Sequence, residues 1–293
     1  SQIPILNPSS IQEIIDYGQI GWAMSRYAGV WVGLKAITET MDSSASVSID
    51  PERIKIVTPD DFDMPDGGLH IRWPDLPLEQ ERRLQQHKMY ATLAFAKANK
   101  LDKIVIDSPN ARLGIVTTGK SYLDVMQALD DLGIDQDYAA ELGLRIYKVG
   151  MPWPLERDGI RHFADGLEEI LVVEEKRAVI ENQLKEQLYN WRESVRPRVV
   201  GKFDEEGDWV LPSAFELSSA RIARVIAARM EQFITSPRIV ERLAFLENKE
   251  KELDATTPTD IVRTPYFCAG CPHNTSTVVP EGSKAAAGIG CHY

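Results

Sequence analysis

The sequence predicts an α/β fold: a central, doubly wound parallel sheet with partial domains on either side. Three observations predict it. Short, continuous apolar runs read as strands, amphipathic segments of helical period lie between them, and this regular alternation is confined to residues 109–254. Strands that are apolar throughout belong to a sheet covered on both faces, and helices between them supply the crossovers that parallel strands need.

The elements follow in order. Residues 9–26 read as a helix: Ser9 or Ser10 can cap it, and Ile11, Ile14, Ile15 and the Gly18/Trp22 side recur at helical spacing. An apolar run, 29–34, precedes a polar stretch, 42–51. Residues 59–77 (PDDFDMPDGGLHIRWPDLP) hold too many breakers for regular structure. Phe62, Met64, Ile71 and Trp73 are nevertheless too apolar for a free linker, so the segment is expected to be an ordered connector packed across a surface. A long helix over 79–99 leads into a short strand, 103–106.

From Arg112 the alternation is regular. Strand 113–116 is followed by helix 120–132, which Gly133 stops, then strand 145–149, helix 159–167 and strand 170–174. Helix 177–191 carries Ile180, Leu184, Leu188 and Trp191 on one stripe. Strand 198–200 and helix 220–233, with Ile222, Val225, Ile226 and Phe233 inward, complete the body. Ser236 and Pro237 offer an N-cap and a first-turn proline to a charged helix, 238–253, leading out of it, and Thr256-Thr257-Pro258-Thr259 marks a boundary.

Composition narrows the function classes. A chain of 293 residues with 43% hydrophobic and 26% charged residues is ordinary globular material. Its formal net charge of −11 argues against nucleic acid as a partner, because backbone binding depends on Lys and Arg displacing counterions. No stretch approaches the roughly 18 uncharged apolar residues of a membrane span, and SQIPILNPSS lacks the basic-then-apolar pattern of a secretion signal, so the reading is cytoplasmic. Three cysteines, all from Cys268 onward, describe a local site and not a disulfide framework. With no initiator Met, and a last stretch, 288–293, that has no closing turn or helix, both ends read as cut.

Two motifs carry candidate chemistry. Gly114 to Ser121 (GIVTTGKS) satisfies the pattern of a nucleotide-binding phosphate loop, and Glu174 or Glu175 after an apolar run could imitate its magnesium acid. The placement is against it, because Gly114 precedes Ile115 and Val116, the strand's own core, leaving only Thr117-Thr118-Gly119 as a loop. Lys120 and the Glu174-Glu175-Lys176-Arg177 run then read as a helix start and a solvated or interface ion cluster. The other motif is Cys268-Ala269-Gly270-Cys271-Pro272-His273, with Cys291-His292 beyond it. It admits three readings: a zinc-stabilised interaction domain, a redox dithiol, or a cofactor loop. His70, His87 and His162 have no partner pattern and read as surface or packing residues.

The stretch 268–293 (CAGCPHNTSTVVPEGSKAAAGIGCHY) strongly resembles the opening of the diphosphate-binding domain of 2-oxoacid:ferredoxin oxidoreductases, and its HNTSTVVPEGS form resembles the large, fused indolepyruvate type of bacteria. Upstream, GKSYLDV (119–125), VGMPWPL (149–155) and VVEEKR (172–177) resemble that family's central domain, which is similar to the C-terminal domain of transketolase; PSSIQE (8–13) resembles the end of its pyrimidine-binding domain. The resemblance implies a pyrimidine-domain end over 1–50, a connector and helix over 51–108, the transketolase-like domain over 109–254 and the start of the diphosphate-binding domain over 255–293.

It further implies a parent enzyme with thiamine diphosphate, magnesium and [4Fe-4S] clusters. Such an enzyme decarboxylates aryl pyruvates oxidatively to acyl-coenzyme A, with ferredoxin and coenzyme A as partners; the connector 59–77 and the tail from Pro265 expect partner surfaces, so the chain is expected to self-associate as a homo-oligomer. By the same resemblance Cys268, Gly270, Cys271, His273, Gly290 and Cys291 are cofactor-proximal, with His292 a weaker candidate. The activating carboxylate and the acidic diphosphate–magnesium motif would lie outside the chain. The chain is therefore expected to be inactive and cofactor-free alone, an internal, structural piece.

Overall fold

The computed structural model describes residues 2–50, 52–256, 266–286, 288 and 290. The chain divides into two compact units, Ser1–Leu246 and Glu247–Tyr293.

The first unit opens with β1 (Ile5–Leu6), α1 (Ile11–Ala28) and β2 (Gly33–Leu34), a βαβ unit whose strands pair in parallel. α1 starts where the serines predict. Ser10 Oγ accepts from Glu13 N at 3.3 Å, and the Glu13 carboxylate accepts from Ser9 N at 2.8 Å, a reciprocal cap. A short α2 (Thr38–Met41) follows. The expected long helix is present as α3 (Pro77–Arg83) and α4 (Met89–Ala98), joined without a break by a π-helical turn at Leu84–Lys88. Tyr17, Ile20 and Met24 of α1 pack on Phe95 and Ala96 of α4. The connector between these helices is ordered, but not through all the residues that suggested it: Leu69 is buried and Phe62 meets Tyr27 edge-on at 6.4 Å, whereas Trp73 is 95% exposed.

The sheet comprises β3 (Lys103–Ile106), β4 (Leu113–Thr118), β5 (Leu144–Val149), β6 (Glu169–Val173) and β7 (Arg198–Val200), in the order β3-β5-β4-β6-β7. β4 to β7 are parallel, as the apolar runs predict. β3, which the sequence reading left in the connector outside the regular alternation, joins the sheet at its edge and runs antiparallel to β5. The reason is chain length: a parallel return needs a crossover of about a dozen residues, and only residues 107–112 separate β3 from β4.

The helices of this region are α5 (Gly119–Asp131), α6 (Gln136–Leu142), α7 (Arg157–Ala164), α8 (Ile180–Leu188), α9 (Ser219–Glu231) and α10 (Pro237–Thr256). Alternate strand residues sort onto the two faces. Leu113, Ile115, Ile146 and Leu171 meet α5, α6 and α9 on one side, and Val116, Val149, Ile170 and Val172 meet α7 and α8 on the other. α6 was not foreseen. It is too short to show a period, but Asp135 caps it by accepting from Tyr138 N at 2.9 Å. A buried ion pair ties α9 to the sheet: Arg229 Nε lies 2.6 Å from an oxygen of Glu169, whose side chain is wholly buried.

In the second unit, the short α11 (His273–Ser276) follows the cysteine turn.

Candidate functional site

From β4 the chain winds to β5 on one side and to β6 and β7 on the other, so the sheet's switch point lies at the carboxyl end of β4, where open α/β sheets place ligands. A crevice of about 280 Å³ opens there, lined by Asn7, Thr118, Lys120 and Ser121, by Pro152 and Trp153 after β5, and by Glu174 and Glu175 after β6.

Several of its groups are bonded to one another, and the exposed Lys35 and Arg177 also line it. Gly114 lies inside β4, facing α7: a Cβ there would stand 2.7 Å from Phe163 Cζ and closer still to Leu167. It is a packing glycine, not the first residue of a phosphate loop. Gly119 takes φ +52° at the start of α5, and a Cβ on it would fall 2.5 Å from Asn7 Nδ2. Asn7 in turn donates to Thr118 Oγ1 at 3.1 Å, which donates to Val149 O at 2.7 Å. The Asn7 side chain thus packs against the first residue of α5 and is tied to the ends of β4 and β5.

Lys120 Nζ stands 2.9 Å from Asp124, 2.8 Å from Glu216 and 3.8 Å from Glu175. Burial opposes its charge, but the hydrogen bonds to Glu216 and Asp124 outweigh burial and hold the ammonium above its usual range. Burial pushes Asp124 up despite Lys120. Glu174 is buried, and its carboxylate accepts from Val179 N, Ile180 N and Glu181 N at 3.0 Å each, capping α8. Burial raises its pKa against those three bonds. The acid that could have imitated a magnesium ligand is therefore a helix cap; Glu174 is buried and Glu175 half-buried, while Lys176 and Arg177 of the same run are exposed.

Two buried groups escaped the sequence reading. Lys148, in β5, donates to Ser9 Oγ at 2.7 Å, bonds Glu13 and lies 4.3 Å from the Tyr122 ring. Burial works against Glu13, but the bonds from Lys148 and Ser9 keep its carboxyl below the usual range. Asp102 Oδ1 accepts from Gly150 N at 2.8 Å and Met151 N at 3.0 Å, while its buried Oδ2 has no partner. Burial pushes this carboxyl up to about 7 against the two amide bonds, with the charge of Glu156 adding to the rise. A lysine inside the apolar run 144–149 was the one visible signal of the first group.

The second unit gathers Cys268, Gly270, Cys271 and His273 into a single turn. Cys268 O accepts from Cys271 N at 3.0 Å and from Asn274 Nδ2 at 3.0 Å, and Gly270 adopts φ +83°. His273 Nδ1 lies 3.3 Å from Cys271 Sγ, and its ring stacks on Phe267 at 5.2 Å. Cys268 is exposed and Cys271 half-buried. Gly290 is exposed, while Cys291 and His292 lie outside the described residues. Among the described residues no group of three or more His, Cys, Asp or Glu side chains is arranged to hold a metal ion. Nor is any helix among them long and apolar enough to cross a membrane. His70 and His162 are exposed and His87 half-buried.

A family model described as the indolepyruvate ferredoxin oxidoreductase middle domain matches residues 102–256. The whole chain is 27% identical to the indolepyruvate oxidoreductase subunit IorA of Pyrococcus abyssi, covering 42% of it. The IorA of Methanothermobacter marburgensis is 26% identical over 98% of the chain and 41% of that subunit. The chain thus spans about two-fifths of the length of the curated relatives it matches. Among solved structures, a 2-oxoglutarate:ferredoxin oxidoreductase from Magnetococcus marinus, with 2-oxoglutarate, coenzyme A and succinyl-CoA bound, gives a TM-score of 0.47. Its identity is 12%, over 78% of this chain and 42% of that one, which is too low a likeness to establish a shared fold.

Proposed function

The chain belongs to the indolepyruvate ferredoxin oxidoreductase family, and from that premise we propose that it is the central, scaffolding part of a cytoplasmic enzyme that oxidatively decarboxylates aryl pyruvates to acyl-coenzyme A. The observation that carries this is the coincidence of the family match, residues 102–256, with an α/β body whose switch-point crevice is lined by groups paired in ion pairs and a helix cap. On this reading residues 109–254 form a transketolase-like domain, 1–50 end a pyrimidine-binding domain, 51–108 connect them, and 255–293 begin a diphosphate-binding domain.

Thiamine diphosphate, when bound, supplies an electron sink for the carboxyl carbon's departure, and iron–sulfur clusters pass the electrons to ferredoxin. The cysteine turn fits a lining role for such groups. Gly270 leaves open space where a Cβ would stand, which admits a close-lying group, and the thiols of Cys268 and Cys271 with the His273 imidazole are soft donors on that turn. The chain's three cysteines fall short of the four ligands a cluster takes, so the clusters of such an enzyme draw their ligands from outside this chain. Cys268, Gly270, Cys271, His273, Gly290 and Cys291 are the residues assigned to this lining, and the turn's own hydrogen bonds orient the first four.

The activating carboxylate and the acidic magnesium motif fall outside these residues on this reading, so the chain alone catalyses nothing. Calorimetric titration with thiamine diphosphate and magnesium tests it. No saturable heat is expected for this chain, and binding is expected for a polypeptide of the relatives' full length. Micromolar affinity in the 293-residue chain would overturn the assignment.

A further inference from the structure

A groove of about 670 Å³ lies on the first unit, lined by α4, α7 and α8, by the loop after β5 and by Gln2. It shares only Trp153 with the crevice at the end of β4. Its size is that of a small-molecule site, and its groups are paired far less completely than those of the crevice.

Arg157 and Arg161 stand one turn apart on α7, and so on one face of it. Neither has an ion pair or a hydrogen bond among the described residues; Arg161 lies over the Trp191 ring, its Cζ 6.0 Å from the centroid. Glu186 of α8 lines the same groove, exposed and likewise unpaired among the described residues. Buried polar atoms are nearly always bonded, yet three of the five unbonded ones among the described residues belong to this groove: Gln2 Oε1, Arg161 Nε and Gln187 Oε1. The side chains that carry them are half-buried, so each can turn toward a ligand. Exchanging the amide ends of Gln187 does not remove the deficit, because its Nε2 donates to Leu155 O at 3.2 Å and a carbonyl only accepts. Gln183, one turn earlier on α8, has both ends bonded, to Leu155 N at 2.9 Å and to Pro152 O at 2.8 Å. Gln85, whose Oε1 accepts from Gln2 Nε2 at 2.9 Å, sits in the π-helical turn before α4, a rare conformation that recurs at functional sites.

The free groups are complementary to a ligand bearing both signs. Two guanidiniums call for a carboxylate, whereas Glu186 and the two amide oxygens repel an anion and call for N–H donors. A dicarboxylate or a phosphate leaves the oxygens unmet, and an amine alone leaves the arginines unmet. Met89 and Leu93 of α4, with Pro154 and Leu155, supply an apolar wall. We propose that the groove binds a free α-amino acid with a large apolar side chain. Arg157 and Arg161 hold its carboxylate, Glu186 and the amide oxygens of Gln187 and Gln2 hold its ammonium, and its side chain lies on the apolar wall. The α/β body thereby has a ligand of its own, beyond a scaffolding role.

Calorimetric titration of the 293-residue chain with L-phenylalanine tests it. Saturable binding is expected with a dissociation constant on the order of 1 mM, the usual efficiency for a ligand of this size. Phenylpyruvate, which lacks the ammonium, and phenethylamine, which lacks the carboxylate, should each bind about 10-fold more weakly. Arg161→Met should weaken L-phenylalanine by about 10-fold. Glu186 is exposed and unpaired among the described residues, so Glu186→Gln does not act through folding. It should weaken L-phenylalanine while leaving phenylpyruvate unchanged or tighter. Equal binding of L-phenylalanine and phenylpyruvate, or no saturable heat up to about 20 mM, overturns the proposal. So does binding that this chain shows and a polypeptide of the relatives' full length lacks, because another segment then covers the groove.

Discussion

Replacing Asp102 by Asn removes an ionisation while keeping the oxygen that accepts from Gly150 N and Met151 N. The ordinary carboxyl value of 3.8 is pushed to about 7 in the folded chain, chiefly by burial. That difference corresponds to roughly 4 kcal/mol of unfavourable ionisation in the native state, an upper limit. Between those two values the folded state keeps a proton that the unfolded state has lost. The Asp102 contribution to stability therefore falls as pH rises from about 4 to about 7, and above that the full cost is present. Asp102→Asn abolishes this slope. Chemical denaturation of both proteins across pH 4 to 9 is expected to show the variant gaining stability relative to wild type as pH rises, by about 1 to 4 kcal/mol at pH 8. The difference between the proteins isolates Asp102 from the other carboxylates. If that difference stays constant from pH 5 to 8, Asp102 is ionised throughout and the reasoning fails.

Three further expectations rest on packing and charge. Arg229→Ala leaves the buried Glu169 carboxylate with Arg198 alone, 3.1 Å away, and should cost about 1 to 3 kcal/mol in urea unfolding, whereas pairing it with Glu169→Leu should recover much of the loss. Gly114→Ala should destabilise by about 1 to 3 kcal/mol, because the new methyl meets Phe163 and Leu167; Phe163→Leu in the same chain should relieve part of it, and full stability of Gly114→Ala would refute the packing role. Lys120→Met leaves Asp124, Glu175 and Glu216 facing one another without their cation, so the carboxyl resonance of Asp124 should titrate at higher pH than in wild type; a downward move would contradict the pairing.

The fold was legible where its causes are local. Ser10 and Glu13 mark the start of α1 within a few residues, and the continuous apolar runs of β4, β5 and β6 reflect helices on both faces. The antiparallel β3 was not legible from its composition, since a four-residue apolar strand reads alike in either direction; only the shortness of residues 107–112 reveals it. α6 was missed because seven residues hold less than two turns of pattern against a cap that one aspartate supplies.

The sites divide the same way. Cys268 to His273 could be singled out because their contacts close within one turn. The partners that decide the crevice come from distant segments: Glu216 on Lys120, Asn7 over Gly119 and Glu13 on Lys148 meet only through the fold. For that reason the phosphate-loop spelling at 114–121 could be doubted from its position in the strand, but the groups that bond its residues could not be named.

The account turns on the doubly wound body being a packed scaffold whose switch point grips no nucleotide. Titrating ATP or pyrophosphate, with magnesium, while following the amide resonances of Gly119, Lys120 and Ser121 tests this directly. The account predicts no saturable shift at these amides. A saturable shift that disappears in Lys120→Met would place an anion over α5 and contradict it.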